Sequence, residues 1–533
     1  MASILEDKNE LFFIERVMPP TFNQRNNTSE SMKSFINLTL FFIFLLALSM
    51  GAEAKMFAKT TFVSAQEGKR YKVLHKGNGK SLKNQIEGGN ANTIFEIRYD
   101  FDLGGAIINI PDNCVLKLVG GSLKNGTLVG QNTILEGQAS VIMNTSDLFF
   151  SNPDSFDINA LYLTKDTDIT AIAQRMLDVF NIVSLQVGNY YLSSPLIIRS
   201  KFAIIKGAGK GRTRLMSNKP IDYAIRTAYD SEVDSPGEYY NASFVEISDL
   251  MIDGGPNKQI NNGILLDGPS CTVNNCYVTR VQNIGVKLCE WCNNMFNCII
   301  THCDIGALIT QRANAVNVSF NRIESNSINI VAHGYRGLNI SNNTMEGAKF
   351  FNIVVGSGQN CNIKDNYFEG GASSITEMLS TTELRKLSFE GNKELKGLLW
   401  IGSLRLNEID NVSDINYLIG SPNAPSSVII QGNYIDIHSD ETTLPTPDVY
   451  FVLIGSCADF CSIQNNSFTR PQNAVCGFFD TDNAILGDLE VINNYVAGTS
   501  GTMKSLDAIW DKLSKTGWRA KNHFVGNLQL ERE

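Results

Sequence analysis

Between residues 267 and 336 the chain sets out side chains able to do acid–base, electrostatic and stacking chemistry: Asp267, Lys287, Glu290, Trp291, Arg312, His333, Tyr335 and Arg336. Two chemistries fit this set. Hydrolysis of a glycosidic bond needs two carboxylates about 5–10 Å apart, a demand that Asp267 and Glu290 meet if they fall on adjacent turns of one structure. β-Elimination of a uronate sugar needs a base near the C5 proton and a cation on the sugar carboxylate. Arg312, Arg336, Lys287 or His333 would serve there, with Ca²⁺ on Asp267 and Glu290 as an option. Trp291 and Tyr335 would stack on sugar faces, and Lys and Arg would hold uronate carboxylates. No metal site is assigned, and no cofactor beyond that optional Ca²⁺.

Other motifs point less far. Gly207-Ala-Gly-Lys-Gly-Arg-Thr213 has the texture of a phosphate loop. It lacks the Gly-Lys-Ser/Thr ending and a following long helix, so it reads as a turn. Cys289-Glu-Trp-Cys292 is one CxxC without a second pair, which suggests a local disulfide or packing rather than zinc or redox chemistry. Asp249 and Asp253-Gly-Gly read as turn formers.

What must position the candidate residues is a repeat running from about Asn241 to Val496. It is seen at Cys271-Thr-Val-Asn-Asn-Cys-Tyr-Val278, Val316-Asn-Val-Ser-Phe-Asn-Arg-Ile323, Leu338-Asn-Ile-Ser-Asn-Asn-Thr-Met345 and Cys361-Asn-Ile-Lys-Asp-Asn-Tyr-Phe368. One position is Leu250, Cys276, Cys298, Asn321, Asn343, Asn366, Asn392, Asn433, Asn466 and Asn494 in successive copies. The regular part has a period near 22, with loop insertions expected at Thr376–Arg385, Glu408–Pro425 and His438–Asp448. Apolar residues recur three places before and two places after this position. Stacked copies would therefore lay like on like at about 4.8 Å, forming apolar and Asn ladders. Cys276 and Cys298 replace Asn in two adjacent copies, either pairing or lying as small buried thiols.

Upstream, residues 91–160 show short β-type runs broken by Gly and Asn, from Phe95–Phe101 to Ser140–Met143. An amphipathic helix capped by Asp168 or Thr170 follows, its apolar positions running from Ile169 to Phe180. Asp166-Thr-Asp-Ile-Thr-Ala-Ile172, this helix, Gly188-Asn-Tyr-Tyr-Leu192 and Ile205-Lys-Gly-Ala-Gly209 resemble the opening of the pectate-lyase-like right-handed parallel β-helix superfamily. The resemblance covers about 160–500. It implies an all-β, right-handed single-stranded parallel β-helix, with a short N-terminal capping helix. A second helix, over Thr502–Trp518, would cap the C-terminal end. It also implies a groove on the sheet that follows the short strand after the Asn turn. Alternation along strands Gly263–Asp267, Gly285–Cys289, Ala307–Gln311 and Ile328–His333 then turns Leu265/Asp267, Lys287/Cys289, Leu308/Thr310 and Val331/His333 outward. Departures are plain: of the polygalacturonase-type motifs only Ala332-His333-Gly334 is found, and the multi-Asp Ca²⁺ cluster of pectate lyases is absent.

The chain has 533 residues with a net charge of −9 and a pI near 5.3, so it carries no overall basic footprint for nucleic acid. Lys33–Ala54 reads as a secretory signal, with an apolar run and Ala52-Glu53-Ala54 for cleavage. The division expected is an N-terminal extension (1–31), signal peptide (32–54), leader (55–90), short-coil solenoid (91–160), β-helix (161–500) and C-terminal cap (501–533). The eleven cysteines would then meet an oxidising compartment. The function expected is a secreted, periplasmic or cell-surface protein that cleaves or binds an acidic, uronate-containing polysaccharide, by lyase or hydrolase chemistry on one outward face. The alternative is a non-catalytic glycan-binding or adhesive protein on the same fold. The sequence leaves the oligomeric state open.

Overall fold

The computed structural model describes residues 68–369, apart from 78–80, 230–231, 233–241, 311, 334, 350 and 356–359, and beyond them a series of strands between 377 and 532. Three long parallel sheets run side by side along one axis. The first has twelve strands, from Ile182–Ser184 to Leu486–Ile492. The second has eight, from Gly188–Leu192 to Tyr367–Glu369, and the third ten, from Leu196–Ile198 to Val452–Ile454. From Ile182 to Glu369 the coils place their short strands in these three sheets in turn, later coils also feed two four-stranded parallel sheets, and every pairing is with a neighbouring coil. The result is an all-β parallel solenoid.

The apolar ladders expected from the repeat are the ladders of the interior. In the first sheet Ile247, Val273, Met295, Val318, Ile340 and Ile363 pair successively, as do Ile430 and Ile463 further on, and all are buried. In the second, Ile252, Val278, Ile300, Ile323, Met345 and Phe368 do so. A strand of three residues has one inward side chain. Each coil therefore depends on its neighbours to exclude water, and stability is shared along the stack.

The Asn ladder satisfies the turn between these two sheets. Asn321 Nδ2 donates to Asn343 Oδ1 at 3.0 Å, and Asn343 Nδ2 to Asn366 Oδ1 at 3.0 Å. Asn433, Asn466 and Asn494 repeat the pattern. Each Asn Oδ1 also accepts the backbone N–H of the preceding rung, and where Cys298 interrupts the ladder only this backbone bond, to Asn321 Oδ1, remains. Cys276 and Cys298 are buried thiols, not a disulfide. Entry into the third sheet turns on Gly263, Gly285 and Gly306. A Cβ on each would sit 2.3, 2.5 and 2.5 Å from the next coil's carbonyl oxygen, so these three coils need glycine there, whereas the next two coils hold Asn329 and Asn352 at the same register position.

Several expectations change. Part of the expected leader belongs to the solenoid: Arg70–Val73 pairs with Thr93–Ile97, and the helix Leu82–Glu87 buries Leu82 and Ile86. Ala139–Met143 is a helix rather than a strand. The helix expected before the main coils is present at Thr170–Phe180, with Asp168 Oδ1 accepting the Thr170 N–H. It packs against the strands Ile182–Ser184 and Leu196–Ile198 that open two of the long sheets, but short coils precede it, so it is internal to the solenoid. Glu377–Thr381, within an expected insertion, is a strand of the third sheet. The other two expected insertions, at Glu408–Pro425 and His438–Asp448, lie outside the described residues except for Asp448, which starts a strand. Of the expected C-terminal helix, Thr502–Ser505 lies in strand Gly501–Ser505, which pairs with Leu528–Arg532, so coils continue past residue 500. The rest of that helix, Lys33–Ala54 and Asn392 lie outside the described residues. Among the described residues no helix is long and apolar enough to cross a membrane.

Candidate active site

Alternation turns one row of the third sheet away from the solenoid interior, but Leu265 and Val331 in it are buried all the same, while Lys287 and Leu308 are half-buried. Leu265, Lys287, Leu308 and Val331 stand in register. Backbone bonds from Cys289 to Leu266 (3.0 Å), Thr310 to Leu288 (3.1 Å) and His333 to Ile309 (2.9 Å) carry that register to the strand ends. Asp267 is fixed by its N–H, which donates to Thr227 Oγ1 at 2.9 Å.

The chemistry gathers on Arg312. Its Nη2 lies 2.5 Å from Asp267 Oδ1 and its Nε 2.7 Å from Glu290 Oε1. The fixed fork of the guanidinium then keeps the two carboxylate oxygens at most about 8 Å apart. Arg312 has φ 76°, a left-handed conformation sparsely used by residues with a Cβ and a form of strain that clusters at functional sites. Glu290 is buried, its side chain 8% exposed. Burial pushes its pKa above the ordinary value; the Arg312 cation pulls the other way and the Asp267 charge adds to the rise. For Arg312, burial alone would lower the pKa, but the two carboxylates outweigh it and leave the guanidinium more firmly protonated. Cys289 lies beneath this group. Burial, then the Asp267 charge, pushes its thiol up to about 11, so it is a packing residue rather than a nucleophile.

A second group, one coil earlier, was not among the sequence candidates. Arg226 is in register with Leu265. Its guanidinium meets both oxygens of Glu232, at 2.5 and 2.6 Å, and lies 4.2 Å from the centre of the Tyr229 ring. Glu232 also accepts the Tyr229 N–H at 2.9 Å. The Arg226 hydrogen bonds pull its carboxyl down to about 2. The Asp267 charge adds to the burial-driven rise in the pKa of Tyr229, so the two groups share one electrostatic neighbourhood. Tyr223, Leu265 and Cys289 form a small apolar cluster separate from the solenoid interior. Alternation along Ile221–Thr227 signals Arg226, had the row been extended one coil. It would misplace Tyr223, which shares parity with the interior Ile225 yet packs with Leu265.

The sequence candidates divide as follows. Asp267, Glu290 and Arg312 come together. Lys287 is in the same row, half-buried, and its charge lowers the Cys289 pKa. Trp291 follows Glu290 on the turn and is 42% exposed. His333 is in the row but three strands from Asp267, about 14 Å away at one strand spacing each. Arg336 is exposed, beyond the end of the His333 strand, its N–H donating to Ala313 O. Tyr335 is a correction: it is 1% exposed and belongs to the solenoid interior, so it offers no face to a sugar. The turn after the strand carries it inward, where strand alternation no longer applies. Asp267 and Glu290 share the cation of Arg312 at the position where Ca²⁺ was an option. Among the described residues no group of three or more His, Cys, Asp or Glu could hold a metal ion. Cys289 and Cys292 are thiols, one buried and one exposed. Asp253, fully buried, accepts from Arg280 (2.5 and 2.9 Å), Arg214 and the Gly255 N–H (2.8 Å), as a turn former would. A hollow of about 480 Å³ beside Lys117, Glu136, Gln138 and Tyr162 lies in the N-terminal coils and includes none of these groups.

Residues 262–413, which span the row from Asp267 to Arg336, match a family model described as a right handed beta helix region. With the coils above, this defines the molecule as a right-handed parallel β-helix. Similar solved structures include DFA-IIIase from Arthrobacter chlorophenolicus A6 without its lid (13% identity, 68% of this chain and 96% of that one, TM-score 0.43). A mutant of that enzyme in complex with DFA-III is 14% identical over 64% of this chain and 91% of that one, with TM-score 0.42. The enzymatically active domain of bacteriophage CBA120 tailspike protein 2 is 12% identical over 63% and 46%, with TM-score 0.40. No curated protein matches the chain.

Proposed function

We propose that this β-helix protein hydrolyses a glycosidic bond in an acidic polysaccharide at the Asp267–Glu290–Arg312 site. The observation that carries this reading is the grip of one arginine on two carboxylates that differ in environment. Glu290, buried and biased towards its protonated form, donates a proton to the departing glycosidic oxygen. Asp267, more exposed, acts as the second carboxylate, on water or on the anomeric carbon. Arg312 orients both and balances their charge. Lyase chemistry is less well supported. A firmly protonated Arg312 is a poor base, and His333 stands about 14 Å down the row. Lys287 beside the pair supports an acidic, uronate-containing chain, and Tyr229 and Trp291 supply aromatic faces. The reading places the protein outside the cytoplasm, consistent with the apolar run at Lys33–Ala54.

The test is incubation with a panel of uronate polysaccharides, following reducing-end release and absorbance at about 235 nm. Release without new absorbance supports hydrolysis. New absorbance overturns hydrolysis in favour of elimination. The same ion pairs favour one further reading: with both carboxylates held by Arg312, the face is a non-catalytic glycan-binding surface. Retained binding with neither readout would establish that instead.

A further inference from the structure

The turns that carry Asp267 and Glu290 also carry a column of residues with positive φ. It runs through Phe202 (60°), Phe244 (57°), Ser270 (58°) and Cys292 (57°). Backbone bonds connect each turn to the next: Phe202 N–H to Ser243 O, Phe244 N–H to Pro269 O, Ser270 N–H to Trp291 O. Small residues fill this position at Ser270, Cys292 and Ala315, the last with φ 54°. The first two coils instead hold phenylalanine, a bulky side chain for which this conformation is an outlier. Both rings are out in solvent, 66% and 53% exposed. They stack at 5.1 Å with planes 12° apart. Neither belongs to the solenoid interior.

Backbone strain combined with two adjacent exposed aromatic rings contributes nothing to the core, and strain of this kind marks positions held for a ligand. Phe202 covers one face of the Phe244 ring. The opposite face is left toward the coil of Ser270, beyond which comes Trp291, next to Glu290. From Cys292 to Phe202 is three coil steps, about 14 Å, or roughly three sugar units. The column thus continues the candidate site along its rim toward the N-terminal coils.

We propose that Phe202 and Phe244 form a stacking subsite for the extended part of a polysaccharide chain whose scissile bond lies at Asp267 and Glu290. The apolar C–H face of a sugar ring seats against Phe244, between it and Trp291. This rests on reading Asp267, Glu290 and Arg312 as a glycan-processing site. The subsite engages long chains and leaves the shortest cleavable oligomers untouched.

The experiment compares the full chain with the Phe202→Asn, Phe244→Asn double variant. The probes are polygalacturonate, alginate, hyaluronan and heparan sulfate, each as polymer and as short oligomer. Asparagine is at ease at positive φ, so the variant keeps its melting temperature or gains. The expected result is about a tenfold rise in KM, or in Kd, for one polymer, with the short oligomer unchanged. Equal values for the polymer overturn the subsite while leaving the catalytic reading in place. An equal loss on the short oligomer also overturns it, since the rings would then act through the central site. A wild-type chain that binds without cleaving removes the catalytic reading, and the affinity of the double variant still decides the subsite. A wild-type chain that neither binds nor cleaves any of the four removes both.

Discussion

Glu290 Oε1 sits 2.7 Å from Arg312 Nε, while the same guanidinium reaches Asp267 Oδ1 through Nη2 at 2.5 Å. Two carboxylates from neighbouring coils are thereby tied to one cation from the next, and their difference in burial makes one the natural acid. Removing either should be severe for turnover and mild for folding. Asp267→Asn and Glu290→Gln should each lower kcat by about 10²–10⁴-fold with an unchanged circular dichroism spectrum. Turnover within threefold of wild type in both would exclude this pair as the catalytic one.

The pH–rate profile follows from the direction of the Glu290 shift. A proton donor must be protonated, so kcat/KM should fall on the alkaline side as Glu290 ionises, above the ordinary glutamate range. Arg312 lowers that pKa. Arg312→Gln should therefore move the alkaline limb to higher pH as well as reduce the rate. A limb that stays in place or moves down would show that Glu290 is not the group being titrated.

The same shift has a sign in stability. The folded chain holds the Glu290 proton more tightly than the unfolded chain does. That contribution is fully present below the unfolded pKa and is lost as pH rises through the higher folded value. Relative to Glu290→Gln, wild type should lose stability across that window. Urea midpoints of the two proteins at a series of pH values read it directly, and a constant difference would contradict the burial effect.

Tyr335 separates packing from binding. Tyr335→Ala removes a large side chain from the solenoid interior and should destabilise by about 3–5 kcal/mol. Tyr335→Phe should leave KM for any glycan unchanged. A raised KM in the phenylalanine variant would return this residue to the binding surface.

Asn343 tests the ladder. Its Nδ2 donates to Asn366 Oδ1 and Val318 O, and its Oδ1 accepts from Asn321. Asn343→Leu should cost about 2–4 kcal/mol, because partners on both sides are left unsatisfied in a buried stack. Chemical denaturation measures it. A change below about 1 kcal/mol would mean that water or a shifted turn replaces the amide.

The sequence alone was enough for the solenoid, its interior ladders, the Asn stack and the outward row from Leu265 to His333. Each of these follows from local periodicity: a short strand has fixed alternation, and a repeat near 22 residues must lay like on like. It was also enough to place Asp267, Glu290 and Arg312 on one face. Tertiary structure decided the rest. Arg312 and Asp267 are 45 residues apart, and their contact depends on how three turns end, where alternation stops. The same loss of alternation sends Tyr335 inward, and parity along Ile221–Thr227 fails at Tyr223, which packs outward against Leu265. The strand at Glu377–Thr381 was hidden because its coil departs from the regular spacing. Period and parity determine which strand residues line the solenoid interior, but the turns determine which side chains meet, and only the folded chain sets the turns.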